Sequence, residues 1–195
     1  HLAAQAIVST SYENPVETIN TNVIGTCNLL ESLRNIDWRC NAVFITSDKC
    51  YNNLEWDWGY RETDELGGPD PYSASKGGAE LAIRSYYKSY FADNKKIKIG
   101  IGRAGNVIGG GDWAVDRIVT DSIKAWSVGG VVSLRNPLST RPWQHVLEPL
   151  SGYISLAIEL NNSTKCSGEP FNFGPNSDQN FSVQKLVEEM SKHWD

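Results

Sequence analysis

Tyr72 and Lys76 stand four residues apart in Tyr72-Ser73-Ala74-Ser75-Lys76. That separation puts both side chains on one face of a helix, with the ammonium near the phenol. A nearby cation favours phenolate and draws a tyrosine pKa down from about 10. Tyr72 would then serve as general base for a hydroxyl about to lose hydride. The spacing alone is weak, because Tyr and Lys fall four apart by chance in many helices. Upstream sits Ser47-Asp48-Lys49, directly after a short apolar run. A serine there can hydrogen-bond the hydroxyl that Tyr72 deprotonates. Ser47 and Asp48 read equally well as a turn, since Asp often bonds its own backbone after a strand.

The elements that must position these groups are legible. Asn14-Pro15 opens a helical stretch to about Arg34, with Val16, Ile19, Val23, Cys27, Leu30 and Leu33 on one apolar face. Pro15 suits a first turn and Asn14 a cap. Ala42-Val43-Phe44-Ile45-Thr46 does not alternate, as expected of a strand buried on both faces of a parallel sheet. Residues 47–71 form a long connection rich in Gly, Pro, Asp and Trp, the kind that carries function. A helix over about 72–91 and a strand at 97–102 follow. Helix, strand, loop, helix, strand implies a doubly wound parallel α/β sheet. In such sheets ligands bind beyond the carboxyl ends of the strands, where Ser47 and Tyr72 both fall. Further on, 116–126 and 147–160 read as helices, 131–134 and 169–174 as strands, and Ser182 as the cap of a last helix.

Composition limits the classes. The chain has 195 residues, net charge −5, 40% hydrophobic and 21% charged residues, ordinary for a soluble domain with a core. No run approaches the roughly 20 apolar residues of a membrane span. The mild negative charge disfavours nucleic acid as partner. Cys27, Cys40, Cys50 and Cys166 lack CxxC spacing or His companions, so no metal site is expected and they read as reduced thiols in a cytoplasmic protein.

Ser47, Tyr72 and Lys76, with His1-Leu2-Ala3-Ala4-Gln5 upstream, resemble the extended short-chain dehydrogenase/reductase family in its sugar-nucleotide branch. Asn22 in Asn20-Thr21-Asn22-Val23-Ile24-Gly25-Thr26 and the segment Arg103-Ala104-Gly105-Asn106-Val107 match that branch too. The resemblance implies an incomplete Rossmann-like fold, doubly wound, with NAD as cofactor and part of a smaller substrate-binding domain. It assigns 1–106 to the second half of the NAD-binding domain, 107–168 mostly to nucleotide-sugar binding, and 169–195 to a return strand and helix. A family member would carry a further NAD-binding unit ahead of His1 and a tail after Asp195, so the chain is expected to be a fragment. Ala3, Ala4, Gln5, Asn22, Ser47, Tyr72, Lys76 and Arg103 are the implied cofactor contacts.

Ser-Asp-Lys-Cys-Tyr at 47–51 and Trp56-Asp57-Trp58-Gly59-Tyr60-Arg61-Glu62 narrow the likeness to the 4,6-dehydratases acting on CDP-glucose. By that resemblance Asp48 is the acid that protonates a departing C6 hydroxyl. Lys49 stands where related enzymes place a glutamate base. It either removes the C5 proton, which needs a lowered pKa, or holds the charge formed at C5–C6. Asn106, Arg117, Arg135 and Arg141 are the candidates for the sugar diphosphate, because guanidinium forks match phosphate oxygens. In Arg141-Pro142-Trp143-Gln144-His145-Val146, Pro142 replaces the commoner Asp, and His145 is expected in a packed or hydrogen-bonded core role. Asn172 fits a turn near the cofactor or a strand-end cap. Trp56, Trp58 and Trp113 could stack on a base or line the smaller domain. The implied context is deoxysugar and lipopolysaccharide O-antigen synthesis by a homodimer or dimer of dimers. The rivals are a sugar-nucleotide epimerase or decarboxylase, which has no need of Asp48, and a non-catalytic binding protein on the same fold.

Overall fold

The computed structural model describes residues 1–176 and 178–194. Three parallel strands make its main sheet: β1 (Cys40–Ile45), β2 (Ile97–Ala104) and β6 (Pro170–Phe173), in the order β1-β2-β6. β2 lies in the middle and is buried along nearly its whole length, as a central parallel strand covered on both faces should be. His1 donates its amino group to the Val43 carbonyl at 2.7 Å and accepts from Ile45 N–H at 3.0 Å, so the first residue flanks β1.

Alternation along β2 sorts its residues between two helical layers. Ile97, Ile99 and Ile101 join Leu30, Leu33, Phe44, Ile83 and Phe91 in one core cluster. Leu30 and Leu33 come from α3 (Gly25–Arg34), and Ile83 from α4 (Pro71–Tyr86). Each such side chain contributes about 1.5–3 kcal/mol relative to an exposed one. On the opposite face, Gly100 and Gly102 open room for α6 (Leu147–Asn162). A Cβ on Gly100 would lie 2.9 Å from Leu156 and 3.0 Å from Leu160, and one on Gly102 3.1 Å from Tyr153. The sheet is thus covered on both faces, as the doubly wound expectation requires.

The first helical stretch ends at Arg34 as expected but differs at its start and along its length. Helix α1 (Val8–Glu13) forms before Pro15, and Asn14 makes no side-chain cap. Its carbonyl instead accepts from Thr18 N–H and Thr18 Oγ1 at 3.0 Å each. Helix α2 (Pro15–Ile19) runs through a π turn at Asn20–Ile24 into α3. Thr18, Asn22 and Thr26, four apart, are all buried. This is a polar stripe within an otherwise amphipathic helix, and π turns recur at functional sites. Helix α4 begins one residue before expectation. Asp70 caps it by accepting Ser73 N–H at 2.9 Å, and Pro71 takes the first helical position. It ends in a second π turn, Tyr87–Phe91.

Beyond β2 the chain makes β3 (Val107–Ile108), α5 (Ile118–Ser127), β4 (Thr140–Arg141), β5 (Gln144–His145), β7 (Phe181–Ser182) and α7 (Val183–Ser191). β3 pairs in parallel with β5, and β4 in antiparallel with β7. The strand expected at 131–134 is absent: those residues are irregular and Val131 is 92% exposed. Short apolar runs do not become strands without a partner, and none passes here. Ser182 caps α7 as expected, accepting Lys185 N–H at 3.1 Å. Among the described residues no helix is long and apolar enough to cross a membrane.

Candidate functional site

The C-terminal end of β1 passes directly into Thr46 and Ser47, and a 3-10 turn at Asp48–Cys50 follows. Ser47 Oγ accepts Lys49 N–H at 3.2 Å, which sets the turn, and its hydroxyl donates to Asp48 Oδ1 at 3.0 Å. Gly67 N–H donates to the Cys50 carbonyl at 2.8 Å, so the far end of the long loop returns to this turn. Gly77 in α4 allows that return, because a Cβ there would come within 3.3 Å of Gly67 N. The turn and the first two turns of α4 are therefore held against each other.

Tyr72 on α4 reaches the same place. Tyr72, Ser47 and Lys76 are all buried, and the Ser47 side chain lies beside the Tyr72 phenol. Lys76 Nζ lies 5.8 Å from the Tyr72 ring centroid. The expected depression of the tyrosine pKa is not found. Burial pushes the phenol up from its ordinary value, and the Ser47 side chain and the Arg117 charge only partly offset this. Burial likewise pulls the Lys76 ammonium down, against the opposing pull of Cys50 and Glu80. Asp48 is raised, first by burial, while the Lys49 charge, the Ser47 hydrogen bond and Arg141 resist. A carboxyl so placed keeps its proton to higher pH than a solvated aspartate.

Arg117 and Arg141 both act on this cluster, one on Tyr72 and the other on Asp48. Arg117 Nη2 donates to the Ala6 carbonyl at 3.4 Å, and its Nε stands 3.5 Å from Asp112. Gly105 brings the Asn106 segment in: a Cβ on it would meet Pro142 at 2.6 Å and Asp48 Oδ2 at 3.3 Å. Arg135 is not part of the cluster. Its side chain is 81% exposed and pairs with Asp116 at 3.1 Å, since residues 131–136 have no strand to carry it inward. His145 is exposed rather than packed, and its Nδ1 accepts Leu147 N–H at the start of α6.

Ala3, Ala4, Asn22, Thr46 and Lys76 line one groove beside the end of β1. Two expected cofactor contacts in this region are committed elsewhere. Gln5 donates to Thr18 Oγ1 at 2.9 Å and accepts Ile7 N–H. Asn22 donates to the Gln5 carbonyl at 3.0 Å and Ser75 Oγ at 2.8 Å, and accepts Gln5 N–H at 2.8 Å. Both amides tie the first residues to the helices and have little left for a ligand.

Arg103 also departs from its expected role. It is 3% exposed and grips Glu80 through Nε at 2.8 Å and Nη2 at 2.9 Å. Its Nη1 donates to Tyr51 Oη at 2.7 Å and to the Glu62 carbonyl at 3.0 Å. Four of its five donors are thus used within the protein. Tyr51 in turn donates to Asn172 Oδ1 at 2.7 Å, and Asn172 Nδ2 donates to the Tyr60 carbonyl at 2.9 Å. Trp56, Trp58 and Tyr60 stack on one another in the same loop. Burial and Glu80 push the Cys50 thiol up to about 12, which leaves it neutral and unreactive. Glu80 escaped the sequence reading, although it repeats the four-residue step from Tyr72 and Lys76.

A parallel sheet covered on both faces, with a tyrosine, lysine, serine and aspartate gathered beyond the end of one strand, defines the nucleotide-dependent dehydratase and epimerase class. The family model for GDP-mannose 4,6 dehydratase matches residues 1–193, and the chain belongs to that family. The extended short-chain dehydrogenase/reductase resemblance is therefore confirmed. The CDP-glucose 4,6-dehydratase of Salmonella typhimurium is 48% identical over 198 residues, covering 100% of this chain and 55% of that protein. The CDP-paratose 2-epimerase of Salmonella typhi is 26% identical over 212 residues, covering 95% and 60%. A dTDP-glucose 4,6-dehydratase from Streptomyces venezuelae, solved with NAD bound, superposes with a TM-score of 0.79 at 22% identity, over 98% of this chain and 55% of that one. The chain spans little more than half the length of these proteins.

Proposed function

We propose that this chain carries the catalytic segment of a CDP-glucose 4,6-dehydratase. The observation behind this reading is the cluster of Tyr72, Ser47 and Asp48, in which Ser47 donates to Asp48 at 3.0 Å and burial favours the protonated form of Asp48. A protonated carboxyl beside the proton-accepting phenol is what water loss requires and 4-epimerisation does not. Identity of 48% to a CDP-glucose 4,6-dehydratase supports the substrate.

The family resemblance assigns NAD to the side of the sheet where Ala3, Ala4, Thr46 and Lys76 line a small cavity beside the end of β1. The buried Lys76 ammonium makes no ion pair among the described residues, leaving its donors for ribose hydroxyls. Bound NAD would accept hydride from C4 and return it to C6. Tyr72 takes the C4 hydroxyl proton, with Ser47 holding that oxygen. The C4 ketone acidifies the C5 proton, and Asp48 protonates the C6 hydroxyl as water departs. Lys49, beside Asp48, either removes the C5 proton or holds the resulting charge. Asn106, Arg117 and Arg141 are assigned to the sugar diphosphate. Residues 1–106 form the cofactor side and 107–168 the nucleotide-sugar side. The enzyme is placed in the cytoplasm as a homodimer joined through the faces bearing Val16, Ile24, Leu81 and Tyr90, all exposed.

The test is incubation of the full-length protein with NAD and CDP-, dTDP- or GDP-glucose, followed by the alkaline absorbance of a 4-keto-6-deoxy sugar. Signal with CDP-glucose above the other two is expected. Equal signal with all three removes the substrate assignment, and an epimerised sugar in place of the keto product removes the reaction.

A further inference from the structure

A buried polar network lies behind the site. Its centre is the Glu80–Arg103 pair, with side chains 2% and 3% exposed. Glu80 Oε1 also accepts the Thr46 hydroxyl at 2.5 Å. Thr46 immediately precedes Ser47, Glu80 lies one helical turn beyond Lys76, and Tyr51 closes the turn that holds Asp48 and Lys49. From Arg103 the network runs outward to Tyr51, the Glu62 carbonyl and Asn172, whose backbone N–H donates to Glu62 Oε1 at 2.8 Å.

We propose that Glu80 and Arg103 are positioning residues: their ion pair fixes the strand end bearing Ser47 and Asp48, the helix bearing Tyr72 and Lys76, and the 51–62 loop in one relative placement. The inference rests on the dehydratase reading and deepens it. Three separate chain segments must converge on one sugar carbon frame, and backbone bonds join only part of them: Gly67 ties the loop to the turn at Cys50 and Thr46 ties the strand end to Gly102 of β2, but none of these runs to α4. The guanidinium fork supplies the link, because its donors point in fixed directions toward α4, Tyr51 and the loop at once. A lysine at 103 would keep the charge but could not hold all three. The network is therefore geometric in purpose, not only electrostatic.

The experiment compares full-length parent, Arg103→Lys and Tyr51→Phe in steady-state turnover of CDP-glucose, with NAD affinity and thermal melting measured alongside. Arg103→Lys should lower kcat about a hundredfold, the cost of displacing reacting groups by an ångström. KM and NAD affinity should stay within about threefold, since no ligand contact is removed. Tyr51→Phe, which deletes only the hydroxyl between Arg103 and Asn172, should lower kcat about tenfold with little change in melting. Should Arg103→Lys fail to fold, the Tyr51→Phe result decides. Variants with kcat within about twofold of parent, or with kcat falling only as far as melting does, overturn the positioning role. A parent that does not dehydrate CDP-glucose instead overturns the functional reading, and this inference with it.

Discussion

The Ser47 hydroxyl donates to Asp48 Oδ1 at 3.0 Å and lies beside the Tyr72 phenol, so one serine stands between the proposed base of the oxidation and the proposed acid of the dehydration. Removing the acid should separate the two half-reactions. Asp48→Asn keeps the shape and the Ser47 contact but cannot deliver a proton. Water loss should slow by about 10²–10⁴ while oxidation at C4 continues. Mass spectrometry of the reaction mixture should detect the 4-keto sugar with its C6 oxygen retained. Normal dehydration by this variant removes Asp48 from the mechanism.

The same carboxyl ties stability to pH. Its folded pKa is raised by burial, so the folded state holds the proton more tightly than the unfolded chain. The stability this contributes is complete below the ordinary aspartate pKa and is lost as pH rises through the folded one. Asp48→Asn removes that loss. Melting curves for parent and variant should diverge as pH increases from about 4 to neutrality, with the variant the more stable at the upper end. A constant difference between them contradicts a raised Asp48.

Tyr72→Phe deletes the proton acceptor and leaves the ring in its buried place. Turnover should fall by about 10²–10⁴ with NAD affinity nearly unchanged. Because the phenol itself is raised by burial here, Lys76→Met should cost turnover through lost cofactor contact and cation together, so its NAD affinity should weaken as well. Titration of NAD by calorimetry distinguishes the two variants.

Packing gives a prediction independent of chemistry. Gly100→Ala sets a methyl 2.9 Å from Leu156 and 3.0 Å from Leu160, so both leucines must shift to admit it. Overpacking of this kind costs about 1–3 kcal/mol, measurable by urea unfolding. Gly110→Ala, with nothing within 4 Å of the new carbon, should be near neutral.

Much of this was legible in the sequence. The strand at 40–45 announced itself through the unalternating apolar run at 42–46, the strand at 97–104 through its isoleucines at 97, 99 and 101, and α4 through its four-residue chemistry stripe. Asp70-Pro71 was an equally readable helix start that the Tyr72 motif overshadowed. Arg103 and Asn22 are engaged within the protein in ways the sequence could not show, because a sequence shows a donor but not whether the fold has already used it. Their partners, Glu80 and Ser75, lie 23 and 53 residues away. Asn172 meets Tyr51 across 121 residues, a distance no local pattern spans. Arg135 failed for the opposite reason: the apolar run before it found no strand to pair with and stayed at the surface.

The decisive measurement follows one hydrogen. Full-length protein is given CDP-glucose deuterated at C4, and the product is analysed by NMR. If Tyr72, Ser47 and Asp48 serve a single internal oxidation, dehydration and reduction, the deuterium should reappear on the C6 methyl group of a 4-keto product. Deuterium remaining at C4 of a recovered or epimerised sugar would contradict the account.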